Sequence, residues 1–217
     1  MKKDIGYIDV YDHPLACSLR NNYKDILQEY QDVLYSQKKS KTNNVMGVQK
    51  DQGTSNGKQL YVGKIDSVST HIAEESCSKS EYELFWGKTQ SSYDEANKRL
   101  ESRRKSTPLL EDILKPYSKH IGTVLFNYMH PPAKLNQHYG MIDKYIRFHL
   151  GLISDPGAKF YVNDLPGRAW ENGKVWAFDD GLSYHGTTHT GKNARLILII
   201  DFNKEGFGEI REESKWG

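Results

Sequence analysis

The chain of 217 residues is long enough for one domain with some additional segments, and a hydrophobic content of 37% limits the size of its core. Its 30 Lys and Arg residues are dispersed and nearly balance 28 Asp and Glu residues, so charge alone argues against nucleic-acid or membrane partners. The two cysteines, Cys17 and Cys77, lie outside any CxxC pattern, which argues against a disulfide framework and a thiolate zinc site.

The N-terminus lacks the apolar run that a signal peptide carries. No segment of the sequence has the apolar length that spans a bilayer. We therefore expect a cytoplasmic protein, and the sequence leaves its oligomeric state undetermined.

The first half of the chain is predicted to be largely helical. Apolar residues recur at helical spacing over residues 15–37, which predicts a first helix. A second helix is predicted over 78–104, with aromatic residues that would be buried at its beginning. Pro108 suits the first position of a further helix over 109–114. Between these helices, the polar segment 38–58 predicts a mobile loop, and 59–63 predicts a short strand.

From Gly122 onward the sequence predicts short strands separated by Pro-Gly, Asn-Gly and Asp-Asp-Gly turns. The predicted strands are 123–129, 145–150, 158–162, 174–178 and 195–201. Helices followed by regularly spaced strands indicate an α+β chain whose second half is a β-sandwich or barrel. We divide the chain into a helical support region, 1–121, and a β core, 122–217, which together form one domain.

The strand at 145–150 has a polar face. Alternate side chains of a strand share a face, so Tyr145, Arg147 and His149 point one way and the apolar residues between them point the other. Such a strand suits a barrel that holds a ligand in its interior. For this strand alone, a polar face in contact with water is the simpler interpretation.

Arg195 opens an apolar run, 196–200, that is apolar enough to be buried on both faces. A buried guanidinium needs an anionic partner, because an unpaired buried charge is costly. One candidate partner is Asp179 or Asp180 in a structural ion pair. The other candidate partner is a carboxylate ligand that accepts two hydrogen bonds from the planar guanidinium.

His138 and His185 are the metal-ligand candidates, since imidazole suits iron and an oxygen-activating site needs open coordination positions. The usual non-haem iron site adds a carboxylate two residues after its first histidine, but Gly140 stands at that position and Asp143 lies at the wrong spacing. Two histidines alone more often bind no metal. His189 also competes with His185 as the second ligand.

A series of motifs runs through the second half in a fixed order: Met129-His-Pro, His138-Tyr-Gly, Arg147-Phe-His-Leu-Gly-Leu152, Trp170-Glu-Asn-Gly-Lys-Val175, Phe178-Asp-Asp180, His185 and Arg195-Leu-Ile. In order and spacing, residues 107–201 resemble the aspartyl/asparaginyl β-hydroxylase family of Fe(II)/2-oxoglutarate-dependent oxygenases. That family has a two-histidine iron site in which a glycine replaces the usual carboxylate. Gly140 therefore supports the resemblance.

The resemblance implies that His138 and His185 bind Fe(II), and the ten-residue step from His185 to Arg195 favours His185 over His189. Arg195 is implied to pair with the distal carboxylate of 2-oxoglutarate. The end of 2-oxoglutarate that chelates the metal is implied to be held by Arg147 and His149.

Asn127 lies where a family member places a serine that touches the cosubstrate. The implied fold is a double-stranded β-helix, or jelly roll, with N-terminal helices, and 122–217 would be its catalytic core. The implied reaction uses O2, converts 2-oxoglutarate to succinate and CO2, and hydroxylates a C–H bond. Its expected target is the β-carbon of an Asp, Asn or related residue in a small molecule, a peptide or a carrier-bound amino acid.

Two departures from the family pattern keep alternatives open. Peptide aspartyl hydroxylases tend to show Arg-x-Arg-x-His, whereas here Tyr145 replaces the first arginine, and one extra residue separates Asp180 from His185. Loss of an anion-binding group motivates an alternative substrate, such as another amino acid or an acyl chain. A different class of protein, a non-catalytic jelly-roll binding or sensor domain, would keep the fold without the chemistry.

Overall fold

The computed structural model describes residues 6–39, 79–85, 101, 104–140 and 143–213. The helices are α1 (Pro14–Asn21), α2 (Tyr23–Lys39), α3 (Pro108–Leu114) and α4 (Lys204–Glu213), with a 3-10 turn at Lys115–Tyr117. The strands are β1 (Tyr7–Ile8), β2 (Lys79–Phe85), β3 (Ile121–Met129), β4 (Ala133–His138), β5 (Tyr145–Ile153), β6 (Ala158–Val162), β7 (Arg168–Ala169), β8 (Val175–Asp179), β9 (His185–His189) and β10 (Arg195–Asn203).

The helix predicted over 15–37 is confirmed as helical but is divided in two at Asn22. The Asn22 side chain donates a hydrogen bond to the Ser18 carbonyl at 2.8 Å, and its backbone N–H donates to the same oxygen. Asn side chains that bond nearby backbone in this way compete with helix continuation. The chain therefore turns at Asn22 before α2 begins.

Helix α3 has the predicted Pro108 in its first turn, where a missing N–H costs nothing. Its next two N–H groups, from Leu109 and Leu110, donate to the two carboxylate oxygens of Glu29 at 2.6 and 3.1 Å. A carboxylate at this end also complements the helix dipole. Glu29 thus joins α2 to the start of α3.

The helix predicted over 78–104 is wrong at its beginning, because Lys79–Phe85 forms strand β2, paired antiparallel with β3. The sequence there alternates Glu81, Tyr82, Glu83 and Leu84, a period of two that indicates a strand. Helix is present at residues 101, 104 and 105. Residues 86–100, the predicted strand at 59–63 and the loop residues 40–58 lie outside the described residues, while residues 38 and 39 belong to α2.

Two antiparallel sheets form the β core. The larger has the order β1-β8-β5-β10-β3-β2, and the smaller has the order β4-β9-β6-β7. Between β3 and β10 the chain passes back and forth between the sheets, so that strands distant in sequence become neighbours. This is the topology of a double-stranded β-helix, which confirms the predicted jelly roll. The division of the chain at residue 121 stays a prediction, and β1 and β2 extend the two edges of the larger sheet.

The five predicted strands are present with bounds close to those expected, and Ala158–Val162 has the predicted bounds. Strands β4 and β9 were not predicted. Their sequences, AKLNQH and HGTTH, contain few apolar residues and therefore lack the alternation that marks a half-buried strand. These two strands carry both metal-ligand candidates.

Apolar side chains form one cluster on each face of the larger sheet. The outer cluster packs α1, α2 and α3 against the sheet and includes Leu15, Ile26, Leu110 and Phe148. The inner cluster fills the space between the two sheets and contains Ala158, Phe160, Val162, Trp170, Trp176, Phe178 and Ile197. The helices thus support the sheet from outside, and its inner face carries both this apolar cluster and polar side chains such as His149 and Arg195. None of the described helices has both the length and the apolar character to cross a membrane.

Candidate active site

The two histidine candidates lie side by side in the smaller sheet. His138 ends β4 and His185 begins β9, and the two residues are directly paired in the antiparallel register. Their ring centroids are 4.4 Å apart, and the His185 ring is buried. The fold therefore brings together two residues that are 47 positions apart in the sequence (185 minus 138).

Both imidazoles are fixed in one tautomer by backbone carbonyls. His138 Nδ1 lies 2.8 Å from the carbonyl oxygen of Asn136, and His185 Nδ1 lies 2.8 Å from that of Ser183. A carbonyl only accepts, so each Nδ1 is the protonated donor, and in a neutral ring Nε2 then keeps its lone pair. Burial lowers the pKa of His185 to about 3, so this ring is neutral at neutral pH. This is the state in which histidine binds metals.

Gly140 is required by the close approach of Asp180. A Cβ at residue 140 would overlap the Asp180 carboxylate, and the Gly140 N–H donates to the Asp180 carbonyl at 2.8 Å. The Oδ1 atom of Asp180 lies 3.4 Å from His185 Nε2. A carboxylate therefore stands beside this ring nitrogen of His185, although it comes from residue 180 and not from residue 140. No group of three or more His, Cys, Asp or Glu side chains within the described ranges could hold a metal ion.

Arg147 joins two buried carboxylates. Its Nε and Nη2 donate to the two oxygens of Asp201 at 2.6 and 3.0 Å, and its Nη1 lies 2.7 Å from Asp180 Oδ1. A bidentate pair of this kind fixes both partners in orientation. Arg147 thereby holds the Asp180 carboxylate next to His185. The contact between Arg147 and a cosubstrate stays a prediction.

His149 presents a buried hydrogen-bond donor to the inner face of the larger sheet. Its Nδ1 accepts from Trp170 Nε1 at 3.3 Å, so the proton of the neutral ring is on Nε2. Burial, with the charges of Arg147 and Arg195, lowers the pKa of His149 well below its usual range. Within the described residues, Nε2 has no hydrogen-bond partner. An anionic ligand oxygen would satisfy it.

Arg195 is the largest fully buried side chain and begins β10. Its Nη2 donates to Asn127 Oδ1 across the sheet, and its guanidinium carbon lies 4.5 Å from the ring centroid of Trp170. Arg195, Asn127 and His149 are thus all buried side chains of the larger sheet.

The two aspartates considered as structural partners of Arg195 each pair with another cation. Asp179 Oδ2 lies 2.7 Å from Lys204 Nζ, and Asp180 pairs with Arg147. Lys204 also contacts Asp143, whose side chain is 58% exposed.

His189 has both ring nitrogens in use. Its Nε2 donates to the Asn193 carbonyl at 2.8 Å, and its Nδ1 accepts from the Gly191 N–H at 3.3 Å. This geometry agrees with the preference for His185 as the second ligand. Tyr145 is buried against β3, where a Cβ on Gly122 would lie 2.6 Å from its ring.

Asp155 organises the loop that leads into Arg195. Its carboxylate accepts from the N–H groups of Gly157, Asn193 and Lys192 at 2.8, 2.9 and 3.2 Å, and from the Asn193 side chain at 3.3 Å. These donors, with the Asn193 N–H first, lower the pKa of Asp155. No sequence pattern indicates this role, because three of the four donors belong to Lys192 and Asn193, more than 30 residues away.

We predict that Asp155→Asn lowers the melting temperature by several degrees at pH 7, because the amide cannot accept from all four donors. The folded-state pKa of Asp155 lies below its ordinary value of about 4, so the carboxylate stabilises the fold above that pH. This stabilisation is lost as pH falls through the lowered pKa. Thermal unfolding from pH 7 to pH 2 should therefore show the two melting temperatures converging below about pH 4. A constant difference at every pH would contradict the assignment.

A family model and several curated proteins that are similar to this chain are described as hydroxylases. A family model described as aspartyl/asparaginyl beta-hydroxylase matches residues 20–205. An ornithine lipid ester-linked acyl 2-hydroxylase from Rhizobium tropici is 34% identical over 86 residues, which cover 39% of this chain and 30% of that protein. The aspartyl/asparaginyl beta-hydroxylase of Mus musculus is 34% identical over 98 residues, 45% of this chain and 13% of that protein. The chain thus spans less than a third of the length of either relative.

Among solved structures, the viral collagen prolyl hydroxylase of Paramecium Bursaria Chlorella virus-1, in complex with 2OG, is similar with a TM-score of 0.37 and 11% identity. The similarity covers 58% of this chain and 79% of that one. A score at this level carries no argument about the function of this chain.

Proposed function

The chain belongs to the aspartyl/asparaginyl β-hydroxylase family, whose model matches residues 20–205, and from this premise we propose that it is an Fe(II)- and 2-oxoglutarate-dependent hydroxylase. The reaction would consume 2-oxoglutarate, O2 and a C–H substrate and yield succinate, CO2 and the alcohol. The observation that carries the proposal is the pair of adjacent imidazoles, His138 and His185, each with Nδ1 bonded to a backbone carbonyl.

His138 and His185 would hold the iron through their Nε2 atoms. A backbone carbonyl on the other nitrogen, as found for both rings, is a recurring arrangement of metal-binding histidines. Asp180 adds a negative charge 3.4 Å from His185 Nε2, which favours a divalent cation there. Bound iron would supply the activation of O2, which no protein side chain can provide.

Three groups on the inner face of the larger sheet would bind 2-oxoglutarate. Arg195 would take the distal carboxylate with its guanidinium, and Asn127 orients that guanidinium. The Nε2–H of His149 would donate to the end of the cosubstrate that lies near the iron, where Arg147 adds positive charge. Phe160 and Phe178 pack around His185 and limit the access of water to this region.

The proposed substrate is the β-carbon of an Asp, Asn or related residue in a peptide or biosynthetic intermediate. One observation favours an alternative: Tyr145 replaces an arginine of the family pattern and is buried against Gly122, so this position offers no cation to a substrate carboxylate. Another amino acid or an acyl chain is then the second candidate, and the Rhizobium tropici relative is named for hydroxylation of an acyl chain.

A substrate panel tests this choice. Purified protein with Fe(II), ascorbate and 2-oxoglutarate would be offered Asp- and Asn-containing peptides, free amino acids and detergent-solubilised acyl lipids. Mass spectrometry under 18O2 would identify the product that gains one labelled oxygen. A labelled Asp or Asn residue supports the first candidate, whereas a labelled acyl chain or other amino acid supports the second. Binding of 2-oxoglutarate without any turnover would instead favour a binding or sensor domain.

We predict that Arg195→Lys raises the KM for 2-oxoglutarate by roughly tenfold to a hundredfold and changes kcat much less. Lysine keeps the charge but loses the planar fork, and a charge-assisted hydrogen bond is worth about 1.5–3 kcal/mol. Steady-state succinate formation at varied 2-oxoglutarate measures both constants. Arg168→Lys is the matched control, since Arg168 also lies over a tryptophan ring, that of Trp176 at 5.4 Å, but belongs to β7, the edge strand of the smaller sheet. Equal effects in the two variants would contradict the assignment of Arg195.

A further inference from the structure

Trp170 contacts two of the proposed cosubstrate-binding residues at once. It follows β7 and is 3% exposed, within the aromatic cluster between the two sheets. Its indole N–H points to His149, and its ring face lies against Arg195. One contact acts on His149 and the other on Arg195, which lie in different parts of the site.

The first contact determines which nitrogen of His149 carries the proton. Trp170 Nε1 lies 3.3 Å from His149 Nδ1, and an indole nitrogen donates but never accepts. His149 Nδ1 must therefore be the acceptor, and the proton of the neutral ring is on Nε2. That nitrogen is the buried donor with no partner in the described residues. In the opposite tautomer, Nε2 would offer a lone pair to an anionic ligand and repel it.

The second contact stabilises the guanidinium of Arg195. The guanidinium carbon lies 4.5 Å from the Trp170 ring centroid, within the range of a cation–π interaction. Asn127 fixes the same guanidinium through its side-chain oxygen. The indole face and the amide together restrict Arg195 to one orientation.

We propose that Trp170 is a positioning residue for 2-oxoglutarate, which keeps His149 in the tautomer that donates from Nε2 and holds the Arg195 guanidinium in place. The proposal rests on the function proposed above and adds a residue that contacts neither iron nor cosubstrate directly. Removing the indole N–H should reduce the fraction of protein competent to bind, and the apparent dissociation constant rises by the inverse of that fraction.

Nitrogen-15 NMR of the histidine rings tests the tautomer directly, without iron or turnover. The His149 signals are assigned by their absence from His149→Gln. In the wild-type protein we expect an unprotonated Nδ1 and a protonated Nε2. A protonated Nδ1 in the wild-type protein would overturn the proposal, even if no variant can be purified. In Trp170→Phe, which keeps an aromatic ring near Arg195, we expect a mixture of the two tautomers.

Binding of 2-oxoglutarate to the Fe(II)-loaded protein under anaerobic conditions gives the second readout, by calorimetry. Trp170→Phe should weaken binding about threefold to tenfold, the loss expected if only a third to a tenth of the protein is competent. The matched control is Trp176→Phe, the same change in the same cluster, because the Trp176 N–H has no hydrogen-bond partner in the described residues. Trp176→Phe should keep the His149 tautomer and alter binding less than twofold.

Two results would overturn the proposal: an unchanged His149 tautomer and affinity in Trp170→Phe, or equal losses in the two tryptophan variants. If the proposed function itself is wrong, the experiments give a different result. The wild-type protein would then bind no 2-oxoglutarate at all, while the NMR experiment would still report whether Trp170 fixes the His149 tautomer.

Discussion

Replacing His138 or His185 by alanine is expected to remove bound iron and to lower succinate formation at least about a hundredfold. Each substitution deletes one of two imidazoles that provide the protein's nitrogen ligands, and even residues that only orient such ligands change metal affinity or activity by about 10–100-fold. His138 is partly exposed at the end of β4, so its loss should leave the fold intact. Iron content by atomic emission and succinate by mass spectrometry measure the two effects.

His130→Ala serves as the matched control for His138→Ala. His130 lies in the turn before β4, and its Nδ1 contacts the neighbouring carbonyl of Pro131 at 2.8 Å. This variant should keep wild-type iron content and turnover. If His138→Ala retains stoichiometric iron and wild-type succinate formation, then the metal site lies elsewhere and the assignment is wrong.

Replacing Arg147 by methionine is expected to lower the free energy of unfolding by about 3 kcal/mol or more, the cost of leaving buried charges without their partner. The carboxylates of Asp180 and Asp201 are only 7% and 4% exposed, and both depend on the Arg147 guanidinium. Burial already raises the pKa of Asp201, and Arg147 opposes that rise. For a chain of this size the melting temperature should fall by about 6–12 °C.

Arg104→Met is the control for Arg147→Met. Arg104 pairs with Glu111 at 3.7 Å, and Glu111 is 50% exposed. Exposed pairs of this kind contribute at most about 1 kcal/mol. Adding Asp201→Asn to Arg147→Met should recover part of the lost stability, because it removes one of the unpaired charges. Equal melting temperatures for the two single arginine variants would show that the buried pairing contributes little.

The strands that could be predicted from the sequence are those that bury apolar residues. Five strands either alternate polar and apolar residues or consist of a continuous apolar run, and this pattern predicts their positions: β3, β5, β6, β8 and β10. Strands β4 and β9 form because they pair with each other and because β9 also pairs with β6, and their own residues give little indication of this pairing. Strand β2 was predicted as a helix although its charged and apolar residues alternate with a period of two from Glu81 to Leu84.

The sequence motifs identified the residues of the candidate site but not how they are joined. Gly140 was predicted to replace a metal-binding carboxylate, and the structure adds the physical reason, which is the close approach of Asp180. The bonds from Arg147 to Asp180 and Asp201 and from Trp170 to His149 connect strands far apart in sequence. Contacts of this kind depend on the register between strands, which no local pattern specifies.

The central claim, an iron- and 2-oxoglutarate-dependent oxygenase, is tested most directly by succinate formation from the purified wild-type protein. Fe(II), ascorbate, O2 and 2-oxoglutarate would be supplied together and then with iron or O2 omitted, first without a substrate and then with the substrate panel. We predict succinate that requires both Fe(II) and O2 and increases with one member of the panel. Absence of succinate under every condition, together with no anaerobic binding of 2-oxoglutarate, would contradict the account and leave a binding domain with a jelly-roll fold.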